Sequence, residues 1–262
     1  MRIFSFKNIR IISLLILLAF IAIYVKDQRL VTQSWYRTLN IVVYPINIDD
    51  NAQVNQYISS LSSEDFSAID KFIKQQSEHF NIISSTPTQT RLGQVLIEGP
   101  PPAPEPNSSI LTNILWSMKL RYWIWKKAPD EPNDKYLIRM FVKYHAPGDD
   151  KQLLHSVGLQ KGLVGIVNAW GIKEQHRQNN IVITHEFLHT VGASDKYDTR
   201  GLPIAPDGLG NPNQSPLYPQ KKAEIMAGRR ALSSQRAEMP TSFRSMVIGE
   251  KTAREIGWQN DI

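Results

Sequence analysis

The sequence contains no cysteine. That excludes disulfides and thiolate metal sites, so any metal must be held by His, Asp or Glu, and the redox compartment stays open. Acidic residues are the minority charge: 24 Asp and Glu stand against 30 Lys and Arg, for a formal net charge of +6. The basic residues nevertheless form no run of five. The pairs Lys126–Lys127, Lys221–Lys222 and Arg229–Arg230 lie far apart, so a basic surface facing anionic lipid or acidic peptide is expected rather than a nucleic-acid-binding stripe. Internal repeats and long low-complexity tracts are also missing. With 42% hydrophobic and 21% charged residues, 262 residues suffice for one sizeable core.

The N-terminus carries the one long apolar run. Arg2, Lys7 and Arg10 precede Ile11–Val25, which is interrupted only by Ser13. Residues 1–28 read as a signal-anchor or transmembrane segment and 29–262 as the folded domain. Fifteen residues span roughly 22 Å, short of a ~30 Å hydrocarbon core, a gap that snorkelling Arg10 and Lys26 would close. No small-x-small cleavage site follows Ala19–Ala22, so an uncleaved anchor is favoured over a cleaved signal peptide, which would leave the protein secreted. Basic residues ahead of the run place the domain outside the cytosol, periplasmic or extracellular.

Downstream, Leu39–Ile46 reads as a buried strand stopped near Pro45, and a short strand is expected at Val95–Ile97. Ser62 reads as an N-cap, with Phe66, Ile69, Phe72, Ile73 and Phe80 at helical spacing over 63–80. The proline-rich Gly99–Ser108 reads as a rigid surface loop rather than a linker. A helix over Ser109–Met118, a strand over Lys119–Trp125, a wide Pro/Asp-rich hairpin loop and a strand alternating through Tyr136, Ile138, Met140, Val142 and Tyr144 follow. Leu163–Trp170 reads as a strand whose Gly165 marks an edge or a close approach to ligand. Gly249–Gly257 reads as a closing helix with Trp258 packed after its glycine stop.

The chemistry concentrates in Asn180–Asp198, NIVITHEFLHTVGASDKYD. On a helix, His185 and His189 lie on one face a turn apart, so both imidazoles reach a single ion. Glu186 sits about 100° round, placed to take a proton from an activated water rather than to ligate. Gly192 can leave the helix with φ > 0 and bring Asp195 back as a third, oxygen ligand, although Asp198 could ligate instead. A buried helix with incidental histidines would have to find partners for two imidazoles.

The full pattern HExxHxxGxxD resembles the extended zinc motif of the metzincin clan. Its final aspartate is similar to that of snapalysin-type peptidases, and Lys196-Tyr197-Asp198-Thr199 resembles the immune inhibitor A-type secreted peptidases. The resemblance implies an α+β, metzincin-like zincin domain with a mixed sheet, two major helices, one bearing HExxH, and a C-terminal helix. It implies one catalytic Zn2+ on His185, His189 and Asp195, Glu186 as the base, and a methionine turn at Glu224–Gly228 with Met226 beneath the metal. It further implies an extended peptide or protein substrate pairing with an edge strand, for which Leu163–Trp170 is the candidate. The usual third ligand of the broader clan is histidine, and no tyrosine lies two residues after Met226, so the tyrosine ligand of some members is not expected.

The function expected is therefore a zinc metalloendopeptidase; the alternative is a membrane-anchored, catalytically inactive zincin-like binding module. His79, His145, His155 and His176 are expected to have no catalytic role. Asp207–Asn211 reads as a polar turn rather than a calcium loop. Trp116, Trp123 and Trp125 read as core rather than as base-stacking platforms. The loop Thr199–Lys222 is expected to shape one wall of the cleft.

Overall fold

A computed structural model describes residues 6–105, 107–129, 134, 136–148, 153, 155–160 and 162–259. Arg2 and most of the expected hairpin loop before Tyr136 lie outside them. The elements run α1 (Phe6–Ser34), β1 (Leu39–Asn47), α2 (Ala52–Ser59), α3 (Ser67–His79), β2 (Thr88–Leu92), α4 (Ile110–Lys127), β3 (Ile138–His145), β4 (Val157–Leu159), β5 (Val164–Trp170), α5 (His176–Thr190) and α6 (Glu250–Glu255). The fold is mixed α/β: a five-stranded sheet ordered β2-β1-β3-β5-β4, parallel except for antiparallel β4, with six helices among the described residues.

The central parallel strands β1, β3 and β5 are largely buried on both faces, as crossover connections require. Ile41, Val43, Met140, Val142, Val167 and Ala169 face a large core shared with α2, α3, α5 and α6. Val42, Tyr44, Ile46, Phe141 and Val164 face a smaller cluster beneath α4. The strand β1 does not stop at Pro45. Pro45 carbonyl oxygen accepts from Leu96 N at 2.9 Å, so its missing N–H faces the β2 side, where the ladder has already ended at Val43–Leu92. No bond to β3 is lost, and pairing continues to Asn47.

Several expectations are corrected. Lys119–Trp125 is not a strand. Leu120, Trp123 and Ile124 are spaced for one helical face; Leu120 is buried, Trp123 and Ile124 pack on the second cluster, and the Trp123 and Phe141 ring centroids lie 4.9 Å apart, so α4 runs unbroken to Lys127. Leu120 and Tyr122 alternate with Lys119 and Arg121, and the aromatic run that follows completes the imitation of a strand. Val95–Ile97 supplies only a bridge between Leu96 and Ile46. The edge strand on that side is the polar Thr88–Leu92, tied down by Asp70, whose carboxylate accepts from Thr88 Oγ1, Thr90 N and Thr90 Oγ1. Leu163–Trp170 is not an edge either: β5 lies between β3 and β4. Gly165 accommodates Met140, whose Cε would stand 2.3 Å from an added Cβ.

α1 is 29 residues long, and its most apolar 18-residue window is entirely solvent-facing. Its last turns dock on the domain. Gln28 Nε2 donates to Gln160 O, Tyr136 hydroxyl bonds Asp27, and Gln33 Nε2 donates to Val191 O and Glu255 O. Trp35 Nε1 donates to Ile256 O, and its ring packs edge-on to Trp258.

Candidate metal centre

The helix that carries the site is held at both ends. At its start, Asn179 Nδ2 donates to Trp170 O and Asn180 Nδ2 to Asp65 O. At its end, Ala193 N returns to Leu188 O, and Gly192 makes the exit at φ +117, a conformation that L side chains rarely adopt. Between these anchors Ile181, Ile183, Phe187 and Leu188 are buried in the main core, and His185 and Glu186 line a cleft.

The turn at Gly192 brings Asp195 back onto the histidines. Asp195 Oδ1 lies 3.1 Å from His185 Nε2 and 3.1 Å from His189 Nε2, and the two Nε2 atoms are 3.1 Å apart. The opposite ring nitrogens face carbonyl oxygens: His185 Nδ1 is 2.9 Å from Ile225 O, and His189 Nδ1 is 2.8 Å from Ala193 O. A carbonyl only accepts, so both Nδ1 atoms carry protons, and in the neutral rings both Nε2 lone pairs point at each other. That is repulsive unless a proton or a cation sits between them. Bonds of about 2.05 Å at tetrahedral angles separate ligand atoms by roughly 3.3 Å, close to the observed triangle. His185, His189 and Asp195 could therefore hold a metal ion.

Electrostatics agree with that reading. His185 is pushed down by burial, but its bond to Asp195 and the charge of Glu186 outweigh this and raise its pKa overall. Burial alone would raise the Asp195 pKa; its bonds to His185 and His189 overcome this and leave it well below the usual carboxylate range. Glu186 is 5% exposed, and its pKa is raised by burial against the partial relief of the two histidines. Among the described residues its Oε2 is buried with no hydrogen-bond partner. A buried, unpaired carboxylate oxygen beside a cation site is costly unless something transient uses it.

Asp198 does not join the cluster. Its carboxylate closes the following turn by accepting from Arg200 N, Arg200 Nε and Leu202 N. Lys196 anchors the ligand loop instead. Its backbone N donates to Met226 O, and its buried Nζ reaches Ser194 O, Ser194 Oγ and Glu255.

Met226 is fully buried in a 3-10 turn over Ile225–Ala227, whose Ile225 carbonyl fixes His185. Glu224 holds that turn, its carboxylate accepting from Met226 N, Ala227 N, Gly249 N and Thr252 Oγ1. The methionine-turn stretch Glu224–Gly228 included Glu224 but gave it no role. Its one legible signal is an acidic residue directly before an apolar stretch, where it caps the turn's exposed N–H groups.

The cleft beside the ligands has a volume of about 300 Å³ and includes His155, Ser156, Asn168, Tyr197, Arg229 and Met239. Of the loop Thr199–Lys222 only Gly201 reaches it; Ala227–Arg229 forms more of that wall. Tyr197 is an addition to the predicted set. Its ring stacks on His185 with centroids 6.3 Å apart, and burial together with Asp195 pushes its hydroxyl up to about 12. The sequence offered it only as part of Lys196-Tyr197-Asp198-Thr199, two residues after Asp195, with no role attached. The edge strand β4 passes next to Glu186, and a Cβ on Gly158 would stand 2.4 Å from Glu186 O and from His189 Cβ. Elsewhere, His176 is bonded to Tyr57 hydroxyl and Asp65 O, and His145 to Asn168.

No protein-family model matches this sequence, and no curated protein gives a match to it.

Proposed function

We propose that the protein is a zinc-dependent endopeptidase of metzincin type, anchored to a membrane by α1 with its catalytic domain outside the cytosol. The observation that carries the reading is the triangle of His185 Nε2, His189 Nε2 and Asp195 Oδ1 with the unpaired Glu186 Oε2 beside it. His185, His189 and Asp195 would hold the ion, and this two-imidazole, one-carboxylate set suits zinc in a catalytic site with an open position. Zinc bound there supplies Lewis-acid activation of water and of the scissile carbonyl.

The chain's own residues do the rest. Glu186 Oε2 takes the proton of the attacking water and delivers it to the leaving amine, its raised pKa lying nearer neutrality than an exposed glutamate's. Tyr197, protonated well beyond neutral pH, offers its hydroxyl as a donor at the cleft wall. An extended peptide pairs along the outer edge of β4, the last strand of the sheet among the described residues, whose backbone lies against the helix of the site.

The test is metal content by mass spectrometry on the full chain in detergent, with His189→Ala in parallel. About one zinc per chain, lost in the variant, together with chelator-sensitive cleavage of a peptide library, is expected. A protein that binds no zinc when supplied with it overturns the reading. Zinc binding without any hydrolysis would leave an inactive zincin-like binding module in its place.

A further inference from the structure

We propose that α4 is a second membrane contact, lying in the interface of an anionic bilayer beside the foot of α1. The proposal rests on reading α1 as the membrane span, and it starts from an anomaly of packing. α4 is apolar on two opposite sides, but among the described residues only one side is buried against protein. Leu120 is its one fully buried residue, with Trp123 and Ile124 half-buried against the sheet. On the other side Leu111, Leu115, Met118, Tyr122 and Trp125 recur at i, i+4, i+7, i+11 and i+14 and are 50–69% exposed. An apolar stripe of that length facing water marks an interaction surface.

Two observations choose the occupant. The first is charge. α4 contains Lys119, Arg121, Lys126 and Lys127 and no acidic residue; Lys127 is paired with Glu98 at 3.0 Å, so Lys119 and Lys126 carry the basic flank that repels a basic partner and attracts anionic headgroups. Aromatic residues at its C-terminal end, Tyr122 and Trp125, suit the headgroup level. The second is continuity with α1. A groove of about 540 Å³ beneath α4, which includes Trp116, Leu120 and Trp125, also includes Gln160 and Gly162, and Gln160 O accepts from Gln28 at the docked end of α1. The strands β1, β3 and β5 all begin near this end, where Tyr136 and Gln160 receive α1 and Ile256 receives Trp35 just after it. Because Gly158 and Leu159 line the same groove, this contact sets the edge strand β4 beside the bilayer.

The absence of native cysteine makes the test direct. Single variants Leu111→Cys, Met118→Cys and Tyr122→Cys of the full chain are labelled with an environment-sensitive fluorophore. They are reconstituted in phosphatidylcholine/phosphatidylglycerol vesicles with and without doxyl-labelled lipid. Leu15→Cys reports α1, and Gln53→Cys serves as the aqueous reference; it lies past the far end of β1, about 27 Å from Leu39 by strand rise. Quenching of about twofold or more at the three α4 positions, and none at Gln53, is expected for a helix seated at the acyl boundary. Quenching at Leu15 with none on α4 overturns the proposal and leaves the anchor standing. Labels on α4 that are shielded from water but not quenched by lipid overturn it in favour of a protein partner. If Leu15 is unquenched while α4 is quenched, the anchor reading fails and the α4 contact holds; if neither is quenched, both fail.

Discussion

Replacing Glu186 by glutamine separates a catalytic carboxylate from a structural one, because the two roles predict opposite signs for stability. Glu186 is buried, its Oε2 has no partner among the described residues, and burial raises its pKa from 4.5. Without metal, the charged carboxylate is thus a net cost to the fold. An unsatisfied buried polar group costs about 1–3 kcal/mol, and a neutral amide of the same shape should recover on the order of 1 kcal/mol of that. Linkage fixes the pH dependence. A carboxyl whose folded pKa lies above its unfolded value binds protons more readily when folded, so its contribution falls as pH rises through and above about 4.5. The advantage of Glu186→Gln in metal-free protein is therefore absent well below pH 4.5 and complete above the raised folded value. The same change removes the proton carrier, and hydrolysis should fall by about 10²–10⁴, or roughly 2.7–5.4 kcal/mol of barrier. Urea denaturation with chelator at pH 4 and pH 8, paired with peptide hydrolysis in zinc, reads both effects. A variant destabilised at pH 8 by more than about 1 kcal/mol would make Glu186 a structural ion partner. Unchanged hydrolysis would remove it from the mechanism.

Two further outcomes discriminate within the site. Asp195→Asn should weaken zinc binding by at least about 100-fold by competition titration, since it removes the one carboxylate of the proposed ligand set, whereas Asp198→Asn should leave zinc content unchanged because among the described residues its carboxylate serves the Arg200–Leu202 turn. Gly192→Ala should cost about 1–3 kcal/mol, a fall of several degrees in thermal midpoint, because φ +117 strains any L side chain and an added Cβ would stand 3.0 Å from Glu255 O. A shift of under a degree would mean that the helix exit tolerates another path.

What the sequence determined by itself was local. The spacing of His185 and His189 on one helical face, the glycine exit and the return to Asp195 are set by backbone geometry within eleven residues. The apolar run Ile11–Val25, the β-branched β1 and the periodicity of α3 were legible for the same reason. Only the tertiary structure decided which strand is the edge, since β4 is three residues long and carries no pattern, while the apolar run of β5 reads alike in a central or an edge position. Likewise α4 imitated a strand over Lys119–Trp125, and β2 is too polar to announce itself without Asp70 from α3. The supports of the site were equally hidden. Glu224, Lys196 and Glu255 act across 25–60 residues of sequence, through bonds that exist only once the C-terminal helix packs against the ligand loop. The motif records the groups that line the candidate site; the groups that hold them still are chosen by packing, whose partners no local pattern names.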